Sequence, residues 1–180
     1  MITRRREKMV KEIEVKFKVE KKDRIVQKLN QLGGRAKKPY SQTTFGFFSA
    51  DSMQKGIFPR IRYEFKKAVL TVKVKNLNKK SNYFERDEYS VKVSNLRSAV
   101  KIMELLGYDQ IRKFTKIRTH WIFSKRKIQA TLDRLYFGTF IELEGSEQEI
   151  EKMIIDLGFL KKERITRAYL ALEDEWKKNH

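Results

Sequence analysis

The sequence predicts an α+β fold: a closed eight-stranded antiparallel β-barrel with a charged lumen, flanked outside by amphipathic helices. Three observations carry this. About eight segments alternate apolar and polar residues with period two, the signature of strands with one apolar face. Nearly every one sets that face against a densely charged one. Three of the strands then run into helical patterns that each end in Leu-Gly, which supplies cover for an apolar exterior.

The elements follow in order. In "EIEVKFKV" at 12–19, Ile13, Val15, Phe17 and Val19 alternate with Glu12, Glu14, Lys16 and Lys18. Asp23 is placed to cap a helix whose stripe is Ile25, Val26, Leu29 and Leu32, closed at Gly33. Strands are expected at 40–49, 58–65 (Arg60 and Arg62 against Ile61 and Tyr63) and 68–76 (Thr71, Lys73 and Lys75 against Leu70, Val72 and Val74). Another spans 83–93, with Arg86 and Glu88 on one face and Tyr89, Val91 and Val93 on the other. Asn95 caps a second helix with Ala99, Val100, Met103 and Leu106, ending at Gly107. Segment 111–124 sets Lys116, Arg118 and His120 against Ile117 and Phe123, and 127–133 sets Gln129, Thr131 and Asp133 against Ile128, Ala130 and Leu132. In 139–145, Glu142 and Glu144 oppose Ile141 and Leu143. Ser146 and Glu149 form a capping box for a third helix, with Ile150, Met153, Ile154 and Leu157, closed at Gly158. Each glycine tolerates the left-handed backbone that ends helices. From Thr166 a short tail helix is expected, with the acidic stretch at 173–176 solvated and 173–180 frayed.

Two prolines and no Ser/Gly-rich stretch leave no candidate linker, so one domain is expected over 1–180, with residues 1–10 a basic, mobile start. Zero cysteines exclude disulfides, cysteine-ligated metals and a cysteine nucleophile. No apolar run approaches the roughly 18 residues of a membrane span, and "MITRRREK" leads into no apolar signal core, so no membrane partner and a cytoplasmic location are expected. The net charge of +19 attracts anions but does not choose among them. One inward histidine, His120, without cysteine partners makes a poor zinc site.

A conventional sheet would turn its charges outward and meet core to core on its apolar faces. Its outer face would be an undistinguished polar mixture. Here there are two Glu-x-Glu pairs and three basic pairs (Arg60/Arg62, Lys73/Lys75, Lys116/Arg118), each two residues apart. That regularity favours a barrel with charges inside. Buried charges of both signs are costly if they only neutralise one another. Carboxylate pairs are hard oxygen ligands for Mg2+ or Mn2+. Arginine and lysine pairs match the oxygens of a polyphosphate.

The chain resembles the CYTH superfamily, the triphosphate tunnel metalloenzymes. "EIEVK" is similar to that family's opening Glu-x-Glu-x-Lys; "PRIR", "LTVK", "FERDE", "KIR" and "TLDRLYFGTFIELE" follow in family order over about residues 11–172. The resemblance implies a metal-dependent enzyme acting on a small-molecule triphosphate. It implies metal ligation by Glu142 and Glu144 with Glu12 or Glu14, and support from Asp133 for a metal or its water. Lys16, Arg60, Arg62, Lys73, Arg86, Lys116 and Arg118 are expected to contact phosphate, and Glu88 to act as a ligand or water-orienting acid. Lys16, Glu88 and Asp133 form the expected catalytic set. Two departures stand out: "QTTFGFF" places Thr44 where the family carries aspartate, and Ser90 stands where a further carboxylate is usual.

The resemblance leaves two reactions open. A triphosphatase is the first reading, because it needs only the motifs present, and a class IV adenylate cyclase making cyclic AMP from ATP is the second. A nucleic-acid or polyphosphate binder without turnover ranks below both. Its support is the charge plus Phe45, Phe47 and Phe48 as stacking platforms, although Glu pairs among the cations would repel phosphate without metal and Phe47 and Phe48 are expected outside the barrel. A homodimer stays open.

Overall fold

A computed structural model describes residues 10–75 and 83–180. Among them nine strands form one sheet: β1 (Val10–Lys18), β2 (Gly34–Ala36), β3 (Tyr40–Phe48), β4 (Ile57–Glu64), β5 (Lys67–Val74), β6 (Phe84–Val93), β7 (Gln110–Phe123), β8 (Ile128–Leu135) and β9 (Gly138–Gly145). The order is β2-β7-β3-β4-β5-β6-β1-β9-β8, and β8 pairs back onto β7. Eight strands therefore close into an antiparallel barrel, and β2 adds to β7 as a ninth strand outside the closed ring. Closure leaves the eight without a free edge.

The helices are α1 (Lys22–Gln31), α2 (Ala50–Gln54), α3 (Leu96–Leu105), α4 (Glu147–Leu157) and α5 (Tyr169–Asn179). The barrel is inverted relative to a soluble sandwich, because the apolar strand faces point outward and are roofed by helices. Under α1 and α4 lie Val15, Phe17, Trp121, Ala130, Ile141 and Leu143, packed against Ile25, Leu29, Ile150, Met153, Ile154 and Leu157. On the opposite flank α3 sets Met103 against Phe47, Ile61 and Ala68. A third cluster, Leu135, Phe137, Phe140, Tyr169 and Leu172, seats α5 across one end of the barrel. The strand positions among these are the apolar members of each alternation, which is why one residue of register slip would destroy both core and lumen.

The helix punctuation is local chemistry. Asn95 and Ser146 accept the backbone N–H groups of Ser98 and Glu149 at 3.0 and 3.3 Å. Gly107 and Gly158 take φ of +87° and +75° just past their helices. Asp23, by contrast, lies in the first turn of α1 rather than at its cap, since the helix begins one residue earlier, at Lys22. The β4–β5 hairpin turns through Phe65 and Lys66, both left-handed (φ 49° and 59°), as two-residue hairpins require.

Three expectations change. The short β2 and α2, three and five residues long, are too short to display a period in the sequence. The tail does not fray at Glu173: α5 continues to Asn179, Glu173 is buried, and Trp176 packs onto the third cluster. Phe47 is buried outside the barrel as expected, but Phe48, one residue on, faces the lumen. The basic residues 1–9 lie outside the described residues.

The ninth strand gives a stability test. A Cβ on Gly34 would come within 2.7 Å of the Phe123 ring and 2.8 Å of the Leu29 carbonyl oxygen. Gly34→Ala should therefore cost about 1–3 kcal/mol in a denaturant melt; an unchanged midpoint would mean that β2 shifts freely.

Candidate active site

The lumen encloses about 720 Å³ and is lined by every expected metal- or phosphate-binding residue; of the expected catalytic set, Glu88 and Asp133 stand outside the lining. Those two meet the lining side chains through ion pairs. The register explains the assembly. On β1 and β9, Glu14 lies opposite Glu144 and Lys16 opposite Glu142; on β1 and β6, Glu12 lies opposite Arg86. Across β5 and β6, Lys73 lies opposite Glu88, and across β7 and β8, Arg118 lies opposite Asp133.

Lys16 is the hinge of the charge pattern, at 2 % exposure. Its Nζ donates to Glu14 Oε1 at 2.6 Å and lies 3.3 Å from Glu142 Oε1. Burial penalises the ammonium, but Glu14 and Glu142 outweigh it and raise its pKa. Burial likewise pushes Glu14 up, and Lys16 more than reverses that; Glu142 is held well below the carboxylate range by Arg118, Lys116 and Lys16 against its own burial. Arg118 contacts Glu142 directly, and Thr131 donates to the same carboxylate at 3.3 Å.

On the opposite wall Lys73 pairs with Glu12 and lies 3.3 Å from Glu88, while Arg60 reaches Glu88 only at 3.8 Å. Arg60 Nε is buried and has no hydrogen-bond partner among the described residues. Burial and the neighbouring Arg62 lower the Arg60 pKa, and burial brings Arg86 down to about 10. The Arg86 guanidinium lies over the Phe58 ring at 4.3 Å. This wall is short of negative charge, which suits an anionic ligand.

Asp133, fully buried, is a hub. Its oxygens accept from Lys116 Nζ (2.7 Å), Arg118 Nε (2.7 Å), Arg118 Nη2 (2.5 Å) and the Tyr169 hydroxyl (2.8 Å). Burial lowers Lys116 to about 8 despite this partner and Glu142. At the barrel end away from α5, Tyr40 shares a 2.8 Å hydrogen bond with His120, and Gln42 donates to Glu64 at 2.5 Å. At the α5 end, Arg112 is held by Glu173 (2.8 Å) and Asp174 (2.7 Å). The two departures are quiet in place: Thr44 is buried in the lumen, and Ser90 bonds Thr71 at 2.9 Å and Glu88 at 3.1 Å.

The structure gathers the four expected metal-ligand acids and all seven expected phosphate-binding cations around one lumen. Sequence reasoning missed Arg112, Gln42, Glu64 and Tyr169. Arg112 shares parity with Lys116 and could have been found; Tyr169 belongs to the helix that closes one end of the barrel, which strand periodicity cannot signal.

For a divalent cation, the donor chemistry fits. Glu12, Glu14, Glu142 and Glu144 are hard carboxylates on two adjacent strands. Burial and then mutual repulsion raise Glu12, and burial with Glu12 and Glu14 raises Glu144 to about 7. Such crowding is what a cation relieves. Among the described residues no three donors are gathered into a closed cage, because Lys16, Lys73 and Arg118 occupy three of the four carboxylates.

The CYTH domain profile matches residues 10–169. The chain belongs to the CYTH family. A Methanocaldococcus jannaschii protein that carries a provisional adenylate cyclase name is 30 % identical over 144 residues, covering 78 % of this chain and 80 % of its own. A Pyrococcus horikoshii structure superposes with TM-score 0.73 at 21 % identity, covering 89 % of this chain and 98 % of that one. A Hippeastrum structure gives TM-score 0.55 at 18 % identity over 82 % of this chain and 88 % of that one. The fold is thus shared with both of these structures.

The raised Glu144 makes a pH test. Its folded pKa lies above the ordinary carboxylate value, so the folded state binds the extra proton between about pH 4.5 and 7. Stability of the metal-free protein should therefore fall as pH rises through that window. Glu144→Gln should flatten the fall and raise the unfolding free energy at pH 8 by an amount on the order of 1 kcal/mol after solvent screening, read in denaturant melts. A steeper pH dependence in the variant would contradict the charge crowding.

Proposed function

We propose that this protein is a divalent-metal-dependent phosphohydrolase acting on a triphosphate bound in the barrel lumen. The observation that carries the reading is the split lumen: carboxylates concentrated on β1 and β9, facing a cation wall in which Arg60 keeps a buried donor unpaired. A polyphosphate satisfies that wall, and the acids fit the Mg2+ or Mn2+ that accompanies it. Glu12, Glu14, Glu142 and Glu144 would hold the ion, which when bound neutralises phosphate oxygens and stabilises developing charge.

The chain's own residues do the remainder. Arg60, Arg62, Lys73, Arg86 and Arg118 bind and align the phosphates, with guanidinium forks matching paired oxygens. Glu88, set between Lys73 and Arg60, orients the attacking water. As water adds to the terminal phosphorus and its proton passes to the orthophosphate formed, the bond to the bridging oxygen breaks, the diphosphate fragment leaves, and Lys16 and Lys116 stabilise the charge that collects on its oxygen. Asp133 fixes the angle of Lys116 and Arg118. Positioning and charge stabilisation suffice for such a transfer.

A second reading keeps the same grip and directs a ribose hydroxyl at the α-phosphorus, with pyrophosphate leaving. The name of the M. jannaschii relative favours it. The Hippeastrum protein, named as an adenylyl cyclase, is described as having a dominant triphosphatase activity, and this supports hydrolysis as the first choice. Chromatography of tripolyphosphate and ATP reactions with Mg2+ or Mn2+ separates the two. Orthophosphate release is the expected result; cyclic AMP with pyrophosphate would replace it with the cyclase.

Substitutions divide the roles. Glu142→Gln and Glu144→Gln should each lower metal-dependent turnover by about 100- to 1000-fold, the usual loss of one centre of charge stabilisation. Activity above a tenth of wild type in both would remove them from the site. Glu12→Gln and Glu14→Gln should raise the metal concentration needed, whereas Lys16→Ala should cut turnover at saturating metal. Lys16→Arg should rescue poorly, because a planar fork does not replace a compact ammonium. Full turnover in Lys16→Ala would contradict the proposed use of β1.

A further inference from the structure

Tyr169 opens α5, and the roles above leave it unused. It is buried, with its ring in the aromatic cluster that seats α5, 5.4 Å from Phe140 and 6.1 Å from Phe114. That packing alone would make it an anchor. Its polar surroundings say more. The hydroxyl donates to Asp133 Oδ2, the same oxygen that accepts from Lys116 Nζ and Arg118 Nη2. The ring carries the Lys116 ammonium at 4.7 Å and the Lys16 ammonium at 5.5 Å, both within cation–π range. A carboxylate oxygen has two lone pairs, so three donors on Oδ2 compete for it.

We propose that Tyr169 is a positioning residue of the phosphate site. By taking a share of Asp133 Oδ2, its hydroxyl weakens the hold of the 2.7 Å Lys116–Asp133 ion pair on the ammonium. Its ring gives the ammonium groups of Lys116 and Lys16 a second face to rest on, so both can turn to an incoming phosphate. Helix α5 is then a working wall of the lumen and more than a stopper. This inference rests on the triphosphate reading for its ligand, but its hold on Lys116 is measurable without one.

Tyr169→Phe keeps the ring and the packing and removes only the hydroxyl. Asp133 is then left to the two cations, which it holds harder. Tripolyphosphate titrated calorimetrically into the full chain with Mg2+ should bind about tenfold more weakly, the scale of one lost charge-assisted hydrogen bond. KM should rise in step and kcat should fall several-fold, because the held Lys116 also serves the transition state, with the melting temperature nearly unchanged. In parallel, acetic anhydride labelling read by mass spectrometry should find Lys116 several-fold less reactive than in wild type, normalised to the exposed Lys101. Binding and Lys116 reactivity both within twofold of wild type would overturn the proposal. So would a rise in Lys116 reactivity, which would mean that α5 had come unseated and served only as a plug. If wild type binds no tripolyphosphate, the triphosphate reading fails, and the labelling decides alone: a fall sustains the hold of Tyr169 on Lys116, and no change ends it.

Discussion

The constraint on which this molecule depends is the pairing of opposite charges inside a closed sheet. Glu14, Lys16 and Glu142 form a buried row across β1 and β9, and Asp133 binds Lys116 and Arg118 across β8 and β7. Taking such groups out of water costs several kcal/mol per ion unless partners and hydrogen bonds offset it. The barrel meets that cost by register: each acid on one strand lies opposite or diagonal to a cation on the next. Everything outside follows. Once the charged faces are turned in, the apolar faces must turn out, and α1, α3 and α4 are required as their cover.

The offset is incomplete, and the remainder is where chemistry can occur. On the β4–β5–β6 wall positive charge exceeds its partners, and a buried guanidinium N–H of Arg60 has none among the described residues. On the β1–β9 wall Glu12 and Glu144 repel each other and Glu14. A protein selected only for stability would gain by replacing these with apolar residues of similar volume. The two excesses complement a polyanion and a hard cation side by side. Helix α5 completes the enclosure, with Arg112 held by Glu173 and Asp174 and Tyr169 reaching Asp133.

The barrel and most of the lumen were legible in the sequence because the signal is periodic. Alternation in "EIEVKFKV" and its counterparts states which residue faces which way, and paired acids and bases two apart state that the charged face is not ordinary surface. Belonging to the CYTH family strengthens the same reading over residues 10–169. What lacked a period was lost. Gly34–Ala36 is three residues long, and α2 is five. Phe48 was misplaced because two adjacent phenylalanines cannot both point outward from a strand, and hydrophobicity alone gave no reason to choose. Tyr169 reads only as part of a short tail helix, and Glu173 as its solvated end, because their partners, Asp133 and Arg112, lie 36 and 61 residues away.

The central claim is that one lumen holds both a triphosphate and a divalent cation, on separate walls. A crystal of the full chain grown with Mn2+ and a non-hydrolysable triphosphate, with anomalous data at the manganese edge, tests it most directly. An anomalous peak is expected within bonding distance of carboxylates among Glu12, Glu14, Glu142 and Glu144, with phosphate density against Arg60, Arg62, Lys73 and Arg118. Manganese and phosphate found only on the outer surface, with the lumen ion pairs intact, would contradict it.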